Sequence, residues 1–229
     1  MESKDVQWVG GYPFLAYQPD VYAPDEMKKR SHEYLSLLQK RRSIREFSDE
    51  PVSIEIIHNC ILAASSAPSG ANKQPYTFCV VADPMMKAQI REAAEKEEYE
   101  SYTHRMSEEW LADLKAFQTD WHKPFLEIAP YIIVVFKKAY DLTEDGTKKN
   151  NYYVAESVGL ACGFLLAALH YSGLSALTHT PSPMNFLTAL LKRPENERPF
   201  LLIPVGHASP DARVPDQSRK KLEEILVQY

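Results

Sequence analysis

The sequence is poor in the patterns that mark metal sites, disulfide frameworks and the common nucleotide-binding loops. Its three cysteines, Cys60, Cys79 and Cys162, are far apart and lie in apolar runs, which favours reduced core thiols over disulfides or a metal cage. Its seven histidines form neither an HxxxH nor an HExxH pattern, so no metal site is expected. The motifs GxxxxGK[ST] and GxGxxG are also absent, which excludes a P-loop and a Rossmann-type turn.

Membrane and export signals are also missing from the sequence. We find no apolar run that reaches the roughly 20 residues of a membrane span. The start, MESKDVQWVGGYPF, lacks the basic-then-apolar order of a secretion signal. We therefore expect a soluble, cytoplasmic protein. The net charge of -5 argues against nucleic acid as the main partner, because such binding depends on neutralising phosphates.

Cations are nevertheless concentrated in one short stretch, KRRSIREF, which carries Arg41, Arg42 and Arg45 around Ser43. A solvated helix end would account for such a cluster, because cations are favoured near helix C-termini. The alternative is an anion site, because guanidinium forks match phosphate oxygens and the serine adds a hydroxyl donor. In an acidic protein, a local cluster of this kind indicates a small anionic ligand.

The chain of 229 residues, 45% of them hydrophobic, is long enough for one domain with a substantial core. Residues 1–26 are predicted to be an irregular arm, and residues 27–229 a single domain with a C-terminal extension at about 208–229. Strands are predicted at 77–82, 131–137, 175–180 and 200–206, with a polar loop at 141–149. Helices are predicted from Met27, from 53 to 64, over 86–119, over 152–171 and between 183 and 192. Strands and helices alternate irregularly, so the fold class is α+β or mixed α/β.

Two of the predicted helices have unusual compositions. The helix at 152–171 is apolar nearly all round, which indicates burial either in the core or across a dimer interface. The segment at about 86–125 is instead very polar, as in KEEYESYTHR, and has few apolar residues to bury. A segment like this folds weakly on its own.

The order of three features resembles the nitroreductase superfamily of FMN enzymes: KRRSIREF, then APSGANKQPYTFCVV, then a long helix with small residues. The stretches EEYESYTHRMSEEW, LKAFQTDWHK, THTP, PVGHAS and VPDQSRK are more closely similar to the iodotyrosine deiodinase branch of that superfamily. The resemblance implies an α+β, nitroreductase-like fold with a central mixed sheet flanked by helices, in an intertwined homodimer with two sites that are each built from both chains. It also implies that residues 86–125 form a lid that the substrate orders over itself, for which a weakly folded segment is suited.

The resemblance also implies a set of flavin contacts. Arg41, Arg42, Ser43 and Arg45 would bind the phosphate end of FMN together with Arg219, and a phosphomonoester suits several fork donors. Around the flavin ring, the matching cofactor contacts are Pro68, Ser69, Gly70, Thr178, His179 and Thr180. The structural alternative for Pro68–Gly70 is a plain helix-ending turn. Thr180 matches the catalytic hydroxyl that donates to the flavin, and His179 stands where the resemblance predicts a smaller hydroxyl residue.

Four residues match substrate contacts of the branch. Glu98 and Tyr102 are four apart and would share one helix face. With Lys123 they complement a zwitterionic amino acid, Glu98 for its ammonium and the other two for its carboxylate. Ala71 matches a backbone contact to the substrate. For such charged residues, a solvated surface is the structural alternative.

The resemblance predicts an FMN-dependent reductive dehalogenase of halogenated tyrosines. NAD(P)H would be the ultimate reductant, with a separate reductase as one route for the electrons. Two alternatives remain open at this point: a broad nitro or quinone reductase with the same fold, and a non-enzymatic protein that binds flavin or halotyrosine.

Overall fold

The structure is a computed structural model that describes residues 6–229. The chain divides into two compact units, one ending at Lys40 and the other comprising Arg41–Tyr229. The first five residues of the predicted arm lie outside the described residues. The boundary predicted after residue 26 falls inside a helix, α1 (Pro24–Gln39), which continues the first unit.

The first unit begins with a β-hairpin, so the prediction of an irregular arm was wrong for residues 6–15. Strands β1 (Val6–Val9) and β2 (Tyr12–Leu15) pair antiparallel around Gly10 and Gly11. Both glycines have positive φ, +58° and +85°, as a tight two-residue turn requires. The glycine pair between two short runs rich in aromatic and β-branched residues was the available sequence signal. Among residues 6–40, no side chain is buried.

The second unit contains the sheet and the remaining helices. In chain order its elements are α2 (Ile54–Ser65), β3 (Tyr76–Val81), α3 (Pro84–Glu100), α4 (Glu108–Lys115), α5 (Phe125–Ile128), β4 (Tyr131–Lys138), β5 (Tyr140–Leu142), β6 (Lys148–Asn150), α6 (Val154–Tyr171), β7 (Ser175–Ala176), α7 (Asn185–Leu190) and β8 (Glu197–Gly206). The main sheet has the order β3-β4-β8-β7, and each neighbouring pair is antiparallel. A parallel bridge between Ser43 and Ala176 makes it mixed.

Helices cover both faces of this sheet, because alternate residues of β4 point to opposite sides. Ile132, Val134 and Phe136 belong to one core cluster, together with side chains of α3 and α7. Ile133 and Val135 belong to a second cluster, together with side chains of α2 and α6. The α+β class with a helix-flanked mixed sheet is therefore confirmed.

Two predicted segments differ in the structure. The polar loop at 141–149 forms most of a hairpin of β5 and β6, with Gly146 in its turn at φ +80°. Its charged residues have low strand propensity, which hid the pairing. The strand predicted at 175–180 is shorter, because only Ser175 and Ala176 form β7, and His179 then makes an isolated bridge with Leu202 of β8.

The predicted start of the polar helix is confirmed at Asp83 and Pro84. The Asp83 carboxylate accepts a hydrogen bond from the backbone N of Met86 at 2.7 Å, and Pro84 occupies the first helical turn. The helix predicted over 86–119 is interrupted, however. A π-helical turn, Ser101–Arg105, follows α3, and α4 begins after Ser107, whose hydroxyl accepts from the backbone N of Trp110.

Helix α6 packs only one face against the second core cluster. Its buried residues are Ser157, Val158, Ala161, Cys162, Leu165 and Leu169. The opposite face exposes Leu160 and Phe164, which are 48% and 45% exposed. By length and hydropathy α6 would also suit a membrane span, contrary to the expectation that no run would. Helices in the cores of soluble proteins share those two properties, and α6 contributes Val158 and Leu165 to the core.

Candidate functional site

A cavity of about 490 Å³ lies between the predicted lid and the chain that follows β7. Seven of the residues predicted to form a site line it: Arg45, Glu98, Tyr102, Lys123, Thr178, His179 and Thr180. These seven residues come from four separate stretches of sequence, and the two that are farthest apart, Arg45 and Thr180, are separated by 135 residues in the chain. The predicted lid residues and the predicted flavin loop therefore share one cavity.

The polar helix delivers Glu98 and Tyr102 to this cavity by way of its irregular turn. Glu98 lies in the last turn of α3, and Tyr102 lies in the π-helical turn that follows. Such π-turns occur often at functional sites, because the extra residue re-aims the side chains around it. The Tyr102 hydroxyl donates to the backbone O of Thr119 at 3.3 Å, which joins the middle of the lid to its C-terminal part.

Glu98 is the centre of a buried charged group and is only 8% exposed. One carboxylate oxygen, Oε2, lies 3.7 Å from Nζ of Lys123, and the other, Oε1, lies 3.7 Å from Nε2 of His179. Both distances exceed a normal hydrogen bond. Burial raises the pKa of Glu98, and the Lys123 charge opposes the rise. This carboxylate has therefore lost its water without gaining close donors.

Lys123 is held in place from both its backbone and its side chain. Its backbone N donates to Oε1 of Glu95 at 2.7 Å, and its ammonium donates to the hydroxyl of Thr119 at 3.3 Å and to the backbone O of Asp120. The ammonium also lies 5.3 Å from the centroid of the Tyr102 ring. Burial lowers the pKa of Lys123, and the Glu98 charge opposes that effect. The three predicted substrate residues Glu98, Tyr102 and Lys123 are thus neighbours.

The loop after β7 presents Thr178, His179 and Thr180 to the cavity. Its middle residue anchors it to the sheet, since the backbone N of His179 donates to Leu202 O at 2.8 Å and Leu202 N donates back to His179 O at 3.0 Å. Burial, together with the charges of Lys123 and Arg45, lowers the pKa of His179 to about 3. The imidazole is therefore neutral at physiological pH.

The arginine cluster leads from the cavity to the C-terminal extension. Arg45 lines the cavity, and its guanidinium lies 5.4 Å from the centroid of the Phe117 ring. Arg219 donates to the backbone O of Arg41 at 3.0 Å, and Arg42 donates to the backbone O of Pro215. Burial lowers the pKa of Arg41, and so do the like charges of Arg219 and Arg42.

None of these four guanidinium groups forms an ion pair with a carboxylate anywhere in residues 6–229. Arg42 and Arg219 are close enough to Arg41 for their charges to lower its pKa, and the three have no carboxylate partner among the described residues, which fits an anionic ligand better than a solvated helix end. Ser43, which lies between Arg42 and Arg45 in the sequence, forms the parallel bridge to Ala176, two residues before the cavity loop begins. The donor set therefore suits a phosphate group.

The turn Pro68–Ala71 does not line this cavity, although it was predicted to contact both flavin and substrate. The turn is held instead against the start of α6, where the backbone N of Gly70 donates to Ser157 Oγ at 3.3 Å. A Cβ at Gly70 would lie 2.9 Å from the backbone O of Tyr152, so the position has no room for a side chain. Within one chain these residues make no part of the site.

Sequence reasoning missed the apolar wall of the cavity and one of its supports. The wall consists of Met106, Trp110, Leu114, Phe125, Leu177 and Met184. Met106, Trp110 and Leu114 are spaced four apart, so the sequence carried a helical signal for these three. Phe125, Leu177 and Met184 come from other elements or loops and share no periodicity with them. The support is Glu95, which bridges Arg91 Nε at 2.7 Å and the backbone N of Lys123.

Comparisons with known proteins identify the family of this chain. The family model for the nitroreductase family matches residues 38–207. An iodotyrosine deiodinase from Haliscomenobacter hydrossis is 61% identical over 94% of this chain and 97% of its own length. One from Nematostella vectensis is 45% identical over 94% of this chain and 81% of its own length.

Among solved structures, the chain is similar to a crystal structure of oxidized iodotyrosine deiodinase bound to FMN and 3-iodo-L-tyrosine. That match has a TM-score of 0.73 and 32% identity, and it covers 86% of this chain and 98% of the other. A nitroreductase with bound FMN from Bacteroides fragilis shares the fold, with a TM-score of 0.64 at 15% identity over 86% of this chain and 99% of its own. The matched sequence and the shared fold lead to one conclusion: this chain belongs to the nitroreductase family, in the iodotyrosine deiodinase branch.

Proposed function

We propose that this protein is an FMN-dependent reductive dehalogenase of halogenated tyrosines such as mono- and diiodotyrosine. The observation that carries the proposal is the convergence of Glu98, Tyr102 and Lys123 in one cavity with Thr180, in a chain 61% identical to an iodotyrosine deiodinase. In the overall reaction, two electrons and a proton replace the halogen by hydrogen. The carbon–halogen bond breaks, a carbon–hydrogen bond forms, and halide leaves.

The chain's own residues fit FMN at its most recognisable end. Arg41, Arg42, Arg45 and Arg219 would hold the phosphate, with Ser43 adding a hydroxyl, and the absence of carboxylate partners among the described residues supports an anionic occupant. The cofactor supplies the two electrons when bound. Thr180 and the loop that carries it would contact the flavin, and the Thr180 hydroxyl is the catalytic donor in this proposal.

The lid residues would recognise the amino-acid part of the substrate. Glu98 would accept the ammonium, which supplies the close donors that the buried carboxylate lacks. Tyr102 and Lys123 would donate to the substrate carboxylate. Closure of the lid would bring Trp110 and Leu114 over the aromatic ring and exclude water, which strengthens these polar contacts. The backbone of Ala71 would complete the substrate site.

Two features of the single chain support the proposal of a homodimer. The Pro68–Ala71 turn, proposed to contact both ligands, lies outside the cavity of its own chain, so it would serve the cavity of a second copy. Apolar side chains also remain uncovered on α6 and near the C-terminus, where Ile225 is 69% exposed. Dimerisation would bury these surfaces. We further propose a soluble, cytoplasmic enzyme that draws its electrons ultimately from NAD(P)H, through a separate reductase.

The proposal is tested by three measurements on the purified protein. We expect it to be yellow from bound flavin, iodotyrosine to quench the flavin fluorescence, and iodide to be released anaerobically with dithionite. Quenching without iodide release would indicate a binding protein. Turnover on a nitroaromatic that exceeds turnover on iodotyrosine would favour the broad nitroreductase.

Replacing Thr180 with alanine separates the two chemistries. The variant should keep its flavin, because the arginines are untouched, and should still bind iodotyrosine through Glu98, Tyr102 and Lys123. We expect iodide release to fall while reduction of a nitroaromatic is retained. If the variant kept both activities, we would assign the catalytic hydroxyl to Thr178 instead.

A further inference from the structure

His179 has a buried nitrogen without a hydrogen-bond partner among the described residues. The side chain is 8% exposed, and its Nε2 atom makes no hydrogen bond within residues 6–229. Buried polar atoms in folded proteins are nearly always paired, so an unpaired one needs a reason. The nearest acceptor recorded for Nε2 is Oε1 of Glu98, 3.7 Å away.

The surroundings of His179 connect two parts of the site. Its backbone is fixed to β8 by the two hydrogen bonds with Leu202, so the residue belongs to the rigid sheet. Its ring lies next to two parts of the lid. Nε2 is 3.7 Å from Oε1 of Glu98 near the end of α3, and the Phe125 ring, two residues after Lys123, packs edge-on at a centroid distance of 5.5 Å. His179 therefore lies between the lid and the sheet.

The charge balance around Glu98 leaves room for one more donor. Lys123 faces Oε2, and the phenol of Tyr102 carries no positive charge. The Arg45 charge acts on the pKa values of Tyr102, Lys123 and His179, but within residues 6–229 Arg45 forms no ion pair with Glu98. A neutral imidazole has one N–H to give. A shift of less than 1 Å would bring Nε2 within hydrogen-bond distance of Oε1.

We propose that His179 is a positioning residue for Glu98, and that its Nε2–H donates to Glu98 Oε1 when a halotyrosine closes the lid. The other carboxylate oxygen then remains for the substrate ammonium and Lys123. This inference rests on the proposed function, because it assigns Glu98 to the ammonium. It also joins the lid to the loop that carries Thr178 and Thr180, since His179 is part of both contacts.

A matched pair of variants isolates the hydrogen bond from the packing. His179→Gln keeps an N–H donor near the position of Nε2, and His179→Met has nearly the same length and shape without a donor. Dissociation constants for iodotyrosine are measured on the FMN-loaded protein by flavin fluorescence quenching. We expect the Met variant to bind about tenfold more weakly, the loss of one hydrogen bond to a charged group, and the Gln variant to stay within about threefold of wild type.

A double-mutant cycle with Glu98→Met, which removes both acceptor oxygens and keeps the side-chain length, tests whether His179 acts through Glu98. In the Glu98→Met background, His179→Met should change the dissociation constant by less than about twofold. The deaminated ligand 3-(3-iodo-4-hydroxyphenyl)propanoate has no ammonium, and its binding should be insensitive to His179→Met. Trypsin cleavage at the exposed Lys115 in the lid gives a readout that is independent of the flavin signal. Iodotyrosine should protect this bond well in wild type and His179→Gln, and less well in His179→Met.

Three results would overturn the proposal: equal affinities of the Gln and Met variants, an equal loss from His179→Met in both backgrounds, or an equal loss for the deaminated ligand. Each would assign His179 to packing against Phe125. If the Met variant does not retain FMN, His179→Leu replaces it in the same comparison. A wild-type protein that binds FMN but not iodotyrosine would instead contradict the proposed function itself.

Discussion

Two buried glutamates of this protein have opposite surroundings. Glu197, at the start of β8, is 2% exposed and accepts three hydrogen bonds, at 2.7 and 3.0 Å from Arg193 and at 2.7 Å from the Thr77 hydroxyl. Burial alone would raise the pKa of Glu197, but the hydrogen bonds from Arg193 and Thr77 outweigh it and hold the pKa below its usual value. Glu98 has neighbours only at 3.7 Å, and burial raises its pKa.

The difference separates a structural carboxylate from one that is kept for a ligand. Glu197 connects β8 to Thr77 of β3 and to Arg193, which follows α7, and its carboxylate has little capacity left to accept a hydrogen bond from a further partner. Glu98 is nearly as buried but lacks close donors, so an incoming ammonium would find an acceptor that is already desolvated and in place. The arginines divide in the same way, since Arg193 is paired and Arg41 and Arg45 are not.

The largest expected effect concerns the unpaired arginines. Replacing Arg41 and Arg45 together with alanine removes two charge-assisted contacts to the proposed phosphate, each worth about 1.5 to 3 kcal/mol. We expect apoprotein after dialysis, measured as the ratio of flavin to protein absorbance. Arg193→Ala is the matched control and should retain FMN. Full flavin occupancy in the double variant would remove the basis for the phosphate site.

The next effect concerns the paired carboxylate. Glu197→Gln should lower the free energy of unfolding by about 3 kcal/mol, because it weakens two hydrogen bonds from Arg193 and leaves the neighbouring cations without their counter-charge. Urea unfolding followed by circular dichroism measures the change. The remaining folded protein should bind iodotyrosine with unaltered affinity. A loss of ligand affinity without a loss of stability would contradict the structural role.

Glu98→Gln should reverse this pattern. Its free energy of unfolding should change by no more than about 1 kcal/mol, because removing a desolvated charge offsets the loss of the Lys123 partner. The affinity for iodotyrosine should fall at least about tenfold, because the amide cannot neutralise the ammonium, while FMN stays bound. Fluorescence quenching titrations measure the affinity. Equal losses for iodotyrosine and iodophenol would make the lid a scaffold with no role in recognition.

The smallest expected effect is in the pH dependence of stability. As pH rises, the contribution of Glu197 to the free energy of unfolding should increase and that of Glu98 should decrease. The folded-state pKa of Glu197 is lowered, so its stabilisation is present above the unfolded value of 4.5 and is lost as pH falls through the folded pKa. The folded-state pKa of Glu98 is raised, so its protonated form favours folding at low pH, and that contribution is lost as pH rises through the folded pKa.

Urea unfolding at a series of pH values should therefore show two trends. The stability difference between wild type and Glu197→Gln should shrink on acidification. Relative to wild type, Glu98→Gln should become more stable as pH rises above 4.5. Parallel curves for both variants would mean that the two carboxylates titrate alike, and the contrast between them would be lost.

Much of the fold could be predicted because its signals are local. The Asp83–Pro84 helix start, the apolar strand at Tyr131 and the long helix α6 each depend on neighbours in sequence. The hairpin at Gly10–Gly11 also had a local signal, the glycine pair, but the expectation of an arm overrode it. The β5–β6 hairpin had only a weak local signal, because its strands are three residues each and half of those six residues are charged.

For the site, the sequence by itself determined which residue types were present and in what order: the arginine cluster, the polar lid with Glu98 and Tyr102, and the threonine pair around His179. It could not determine their distances, because Glu98, Lys123 and His179 meet only after the sheet and α3 have packed. Tertiary structure alone decided that Glu98 lacks close donors while Glu197 has three, since burial and pairing depend on residues distant in sequence. It also decided that the Pro68–Ala71 turn lies away from its own chain's cavity, because Gly70 fits tightly against the backbone before α6.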